Sequence, residues 1–208
     1  MIRFLLALLL LGVSARADTV PRPAPEFVIR NSTGELLLSQ FRGKVVLLAF
    51  IHTTCPHCQQ SMGVLSQIQA EYGPRGFQVL ASAFNDLAAQ LLPEFVTRFR
   101  PAFPVGFASR ETVNEYLKLP PTSPFKIPVY LFIDKKGTIR AQHMAGEPFF
   151  QDDPKSTRAL IESLLKEPAP RKLPSGKIGA LHHRARMAVV HHSGPAHISR
   201  PACPQPWA

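Results

Sequence analysis

Cysteine is scarce in this chain of 208 residues, which holds only Cys55, Cys58 and Cys203. There is no second Cys-x-x-Cys pair, and a structural zinc site commonly draws its four ligands from two of them. His52 and His57 stand too close to the pair in sequence to complete a tetrahedron, so structural zinc is set aside. No apolar run reaches the roughly 20 residues of a comfortable membrane-spanning helix. No internal repeat is visible. Acidic residues are almost missing after residue 165, where Glu167 stands alone against seven basic side chains.

That last shortage explains the formal net charge of +10. Two more basic residues, Arg3 and Arg16, lie in the first seventeen positions. The remainder carries fifteen basic and thirteen acidic side chains and is close to neutral. The charge therefore calls for no specific nucleic-acid partner. With 45% hydrophobic residues, the chain can bury a proper core.

The N-terminus reads as a secretory leader. Arg3 supplies a short positive region, Phe4 to Val13 is apolar, and Ala15-Arg16-Ala17 fits the small-x-small cleavage rule. Cleavage there makes Asp18 the mature start, and an uncleaved membrane anchor is the alternative. No cysteine flanks the cleavage point, which argues against a lipid anchor. Export implies a periplasmic or extracytoplasmic location, where a cysteine pair can cycle. Three segments are expected: a leader over 1–17, one domain over 18–166, and a basic tail over 167–208. The tail is rich in proline and histidine, lacks periodicity, and reads as disordered. Cys203 within it reads as an incidental free thiol.

Between leader and tail the pattern alternates. Residues 18–25 carry three prolines and read as an extended lead-in. Glu26–Arg30 and Glu35–Leu38 flank Asn31-Ser32-Thr33-Gly34, a hairpin signal. Val45–Ile51 is apolar at every position, as suits a central strand covered on both faces. A helix from about Pro56 to Tyr72 follows, with Met62, Leu65, Ile68 and Tyr72 on one stripe. Pro56 suits its first position.

Phe77–Phe84 reads as a strand and Leu87–Arg100 as a helix that Pro93 kinks or splits. Phe103–Ala108 is a short strand, and Ser109–Thr112 opens a helix with a capping box. Pro120, Pro121 and Pro124 form a rigid loop. Val129–Asp134 and Thr138–His143 make a hairpin around Lys135-Lys136-Gly137. Asp152-Asp153-Pro154 caps a last helix to about Leu165. The order specifies an α/β fold, a three-layer α/β/α sandwich with a central mixed sheet and an N-terminal β-hairpin.

Cys55-Pro56-His57-Cys58 opens the helix that follows the buried strand. A helix N-terminus presents unpaired N–H groups and a positive dipole end. Both favour a thiolate on the first cysteine. Cys55 is then the nucleophile, and Cys58, one turn further in, resolves the mixed disulfide. Pro56 and His57 tune the pair. An imidazole between the cysteines can donate to the Cys55 thiolate, and as imidazolium it adds positive charge, which makes the disulfide more oxidising. The bland alternative for His57 is a solvent-facing helix residue. Seventy residues beyond Cys58, Ile127-Pro128 precedes a strand. An ordinary trans proline at a strand start is one reading. The other is a loop packed against the cysteines whose backbone binds an extended substrate chain, a form of β-augmentation.

The strand, Thr53-x-Cys55-x-x-Cys58, the helix and then Ile127-Pro128-Val129-Tyr130-Leu131-Phe132-Ile133-Asp134-Lys135-Lys136-Gly137 together resemble the thioredoxin superfamily. Pro25-Glu26-Phe27 and Leu38–Leu47 resemble its TlpA/ResA-like branch of exported disulfide reductases. The resemblance covers about residues 24–166. It implies a thioredoxin-like fold, a nucleophile at Cys55, a resolving thiol at Cys58 and a cis peptide before Pro128. It also implies protein thiols and disulfides as substrates, a membrane or soluble redox partner that recycles the pair, a monomer, and no cofactor.

Two departures stand out. The family's aromatic-rich approach is here Phe50-Ile51-His52-Thr53-Thr54, and the buried acid or amide six residues before the first cysteine is here Ala49. The Cys-Pro-His-Cys sequence itself resembles that of DsbA-type oxidases, so the direction of electron flow stays open. A peroxiredoxin-like peroxidase is one alternative function, although His52 stands where that branch places threonine. A copper-binding or metallochaperone module resembling Sco proteins is another, with His143 and the tail histidines as available ligands. The pair lacks the extra residue of the Sco motif.

Overall fold

The computed structural model describes residues 20–119 and 126–169. The expected leader, the loop with Pro120, Pro121 and Pro124, Cys203 and the tail histidines lie outside the described residues. Among the described residues no helix is long and apolar enough to cross a membrane.

All seven residues of Val45–Ile51 are buried, as their unbroken apolar pattern requires. They form β4 in an eight-stranded mixed sheet. The other strands are β1 (Arg22–Pro23), β2 (Val28–Asn31), β3 (Gly34–Leu37), β5 (Phe77–Ala83), β6 (Val105–Phe107), β7 (Val129–Ile133) and β8 (Thr138–Met144). Among the described residues four α-helices accompany them: α1 (Pro56–Tyr72), α2 (Ala88–Phe99), α3 (Arg110–Leu117) and α4 (Asp153–Lys166). The spatial order is β1-β8-β7-β4-β5-β6-β2-β3. β4, β5 and β6 run parallel, and α1 and α2 cross over between them. β7 flanks β4 antiparallel, with Ala49 opposite Tyr130.

The period of two along each strand divides the core into two layers. Val45, Leu47, Ala49 and Ile51 face Met62, Leu65 and Ile68 of α1, Leu92 and Phe95 of α2, and Ile161 and Leu164 of α4. Val46, Leu48 and Phe50 face Val113, Tyr116 and Leu117 of α3 together with Phe27 and Leu38. The three-layer sandwich expected from the sequence is therefore the architecture observed.

Local differences have simple causes. The lead-in is partly a strand: Arg22 and Pro23 pair with Ile139 and Thr138 and cover the outer edge of β8. Proline is tolerated there because an edge strand need not donate on its outer side. Pro93 does not split α2. It forfeits one donation, toward the carbonyl four residues back in the first turn, and Phe95 and Leu92 still dock on the sheet. At α3, Ser109 accepts from the Thr112 N–H, one half of the expected box.

Candidate functional site

β4 delivers the chain to the site and α1 receives it. Between them His52, Thr53 and Thr54 form a turn, and Cys55 is the N-cap of α1 with Pro56 at the first helical position. The Cys55 N–H donates to the His52 carbonyl at 3.2 Å, and the Cys55 carbonyl accepts from Gln59 at 3.0 Å. The Gln59 side chain donates to the Thr53 carbonyl at 2.8 Å. From the end of β5, Asn85 Oδ1 accepts from the Thr53 N–H at 2.8 Å, and its Nδ2 donates to Thr53 Oγ1 at 3.1 Å. The turn before the cysteines is thus tied to both neighbouring elements.

The two thiols differ in environment. Cys55 is half-buried and Cys58 is fully buried, and neither is in a disulfide. Cys58 joins the apolar layer beneath α1. Burial pushes its thiol well above the ordinary cysteine range, a backbone interaction with His52 opposes this, and Cys55 beside it adds to the rise. Cys58 is therefore protonated at rest. His57 and Pro56 are exposed at the start of α1.

A cleft of about 390 Å³ opens at His57, the residue between the two cysteines nearest Cys58. His57, Gln60 and Val64 of α1 form one wall, Pro128 another, and Gly146, Phe150 and Pro154 close the far side. The Ile127–Pro128 peptide is cis. The Pro128 carbonyl accepts from the Ala145 N–H at 3.0 Å, which fixes the loop against β8. Ile127 packs on both core layers. Cys55, Pro56, His57, Cys58, Ile127 and Pro128, predicted as site residues across a gap of seventy positions, thus converge on one end of the sheet.

Four polar groups at this site escaped the sequence reading as site residues: Tyr130, Asp153, Thr157 and Ser61. Tyr130 is fully buried, and its hydroxyl donates to Asp153 Oδ2 at 3.3 Å. Thr157 Oγ1 donates to Asp153 Oδ1 at 2.9 Å. The Ser61 side chain interacts with the same phenol, and its hydroxyl donates to the His57 carbonyl at 2.9 Å. Burial raises the Tyr130 phenol, and the neighbouring Asp153 charge adds to that. Burial also raises Asp153, against the hydrogen bonds from Thr157 and Tyr130. Asp152 caps α4 by accepting from the Lys155 N–H at 3.3 Å, whereas Asp153 turns inward and lines the cleft. A pair of adjacent aspartates before a proline signals a cap but does not say which carboxyl caps.

His143 stacks on Phe149 at 4.1 Å and its Nδ1 lies 3.0 Å from Glu147 Oε2. Among the described residues no group of three or more His, Cys, Asp and Glu converges to hold a metal ion.

A model of the AhpC/TSA family matches residues 20–142. A protein of Bacillus thuringiensis subsp. konkukian (strain 97-27), named thiol-disulfide oxidoreductase ResA, is 27% identical over 155 residues, covering 73% of this chain and 79% of its own. One of the same name from Geobacillus kaustophilus (strain HTA426) is 29% identical over 125 residues, covering 60% of this chain and 68% of its own. A crystal structure from Chlorobium tepidum, assigned as a thiol:disulfide interchange protein DsbE, aligns with a TM-score of 0.60 at 27% identity. It covers 70% of this chain and 96% of its own. The fold is thioredoxin-like.

Proposed function

The chain belongs to the AhpC/TSA family, and from that membership and the Cys55–Cys58 geometry we propose that it is a protein thiol–disulfide oxidoreductase. The observation that carries this is the asymmetry of the pair. Cys55 stands half-buried at a helix N-cap, two residues before the cleft-lining His57, and Cys58 is sealed one turn behind it.

In the forward direction the Cys55 thiolate attacks a sulfur of a partner disulfide. An S–S bond forms to Cys55, and the partner's other sulfur leaves with the electron pair. Cys58 then attacks Cys55 Sγ and releases the second partner sulfur. The enzyme holds a Cys55–Cys58 disulfide, and the partner holds two thiols. A second redox protein returns two electrons to the pair; run backward, the same steps oxidise a dithiol. Pro56 and His57 set the balance between these directions. The Ile127-Pro128 loop, anchored by the Ala145 N–H on the Pro128 carbonyl, offers its backbone to an extended substrate chain lying in the cleft. No cofactor enters the scheme.

The leader-like residues 1–17, with cleavage before Asp18, support export to a periplasmic or extracytoplasmic space. Residues 18–166 are the working domain, acting as a monomer, and 167–208 a basic appendage. Protein thiols and disulfides are the substrates, and no specific nucleic acid is involved.

Trapping tests the roles directly. Cys58→Ala is expected to accumulate mixed disulfides on Cys55 that dithiothreitol releases. Partners trapped instead by Cys55→Ala would reverse the assignment. Turnover of hydrogen peroxide without a disulfide partner would replace it with the peroxidase reading.

A further inference from the structure

β4 offers Cys58 no base. Every residue from Val45 to Ile51 is apolar and buried, so the strand beneath the thiol holds nothing that takes a proton. Yet the thiolate, and not the thiol, is the nucleophile. A buried polar group of the same core layer stands on the neighbouring strand. Tyr130 of β7 lies opposite Ala49 of β4, on the face that also holds Cys58. Paired side chains in an antiparallel ladder sit about 5 Å apart at Cβ. Alanine leaves that space to the phenol. Tyr130 and Cys58 are near enough that a charge on one disfavours a charge on the other. The phenol donates onward to Asp153 Oδ2 at 3.3 Å, and Thr157 fixes the other carboxylate oxygen at 2.9 Å. Asp153 touches both a buried phenol and the cleft. A first-turn acid suits the α4 N-terminus, but that service requires no tyrosine.

The geometry points to Asp153, reached through the Tyr130 hydroxyl, as the proton acceptor for Cys58, an inference that rests on the thiol–disulfide reading above. In the mixed disulfide the Cys58 proton passes to the phenol oxygen while the phenol proton passes to Asp153 Oδ2. The Cys58 thiolate attacks Cys55 Sγ, and the bond from Cys55 to the partner sulfur breaks. That sulfur leaves with the electron pair. Asp153 returns its proton to the cleft, where the leaving thiolate is protonated. Burial holds Asp153 above the ordinary carboxyl range, closer to what a general base needs near neutral pH. Asp152 on its own turn, Glu147 and His57 across the cleft, and Cys55 beside Cys58 are the other titratable groups facing this path.

The test uses 5,5′-dithiobis(2-nitrobenzoate), a disulfide that reports both half-steps by absorbance. The first thionitrobenzoate marks attack by Cys55, and the second marks attack by Cys58 on the adduct. In Asp153→Asn and Tyr130→Phe the first release serves as each variant's own reference, since Asp153 also lines the cleft. The second is expected to slow roughly a hundredfold or more near neutral pH. The gap should close toward about pH 10, where hydroxide takes the proton directly. Asp153→Glu should recover part of the rate. A second release at wild-type speed in both variants would overturn the relay. So would a slowing of equal size at every pH, which marks a displaced helix. A wild-type protein that never gives the second release would instead overturn the thiol–disulfide reading, and the relay with it.

Discussion

Asn85 holds Thr53 by two contacts, accepting from its N–H at 2.8 Å and donating to its hydroxyl at 3.1 Å. Thr53 is buried and lies two residues before Cys55. The end of β5 therefore sets the turn that presents the nucleophile.

Asn85→Ala removes both contacts and leaves the Thr53 N–H buried without its acceptor. A loss of about 1–2 kcal/mol is expected, read as a lower urea midpoint at unchanged slope. Alkylation of Cys55 should also become more variable with temperature as the turn loosens.

Cys58 imposes a pH dependence on the reduced protein. Burial raises its folded-state pKa, so folding holds a proton that the unfolded chain releases. The contribution is full below the unfolded thiol pKa of about 8.5. Above it the unfolded state ionises first and stability falls, by at most about 1.4 kcal/mol per pH unit, until the folded thiol itself ionises. Unfolded tyrosines follow only near pH ~10, so the interval from about 8.5 to 10 reports Cys58. Urea midpoints across that interval should decline for the wild type and stay flatter for Cys58→Ala.

His57 is exposed at the first turn of α1 and lines the cleft. Its replacement by alanine removes an imidazole donor from the neighbourhood of the Cys55 thiolate. The reduction potential should become more negative by about 30 mV or more, measured by equilibration with glutathione.

Gly106 lies where β6 meets β2. A Cβ there would collide with the Arg30 carbonyl oxygen and with Ile29 Cγ2. Gly106→Ala is expected to cost about 1–3 kcal/mol through overpacking. Calorimetry should show a lower midpoint, with both thionitrobenzoate releases retained at permissive temperature.

Much of the fold is written locally. β4 declares itself because each of its residues must be apolar to be covered on both faces. α1 begins at Pro56 and ends before Gly73, residues that suit a helix start and a helix stop. The hairpins around Asn31–Gly34 and Lys135–Gly137 carry their own turn chemistry. Cys55, His57 and Cys58 are legible because one helical turn contains them. β1 is not legible, since two residues with no periodicity become a strand only when β8 offers its edge.

Local pattern alone determined the central strand, the helix that follows it, and the spacing of the two thiols. Tertiary structure decided what surrounds them. Tyr130 reads as one more apolar-run residue, and Asp153 as part of a helix cap. Antiparallel register sets Tyr130 opposite Ala49, and the docking of α4 turns Asp153 toward its hydroxyl. Periods of 2 and 3.6 record which face a residue occupies; they carry no record of which distant residue will share it.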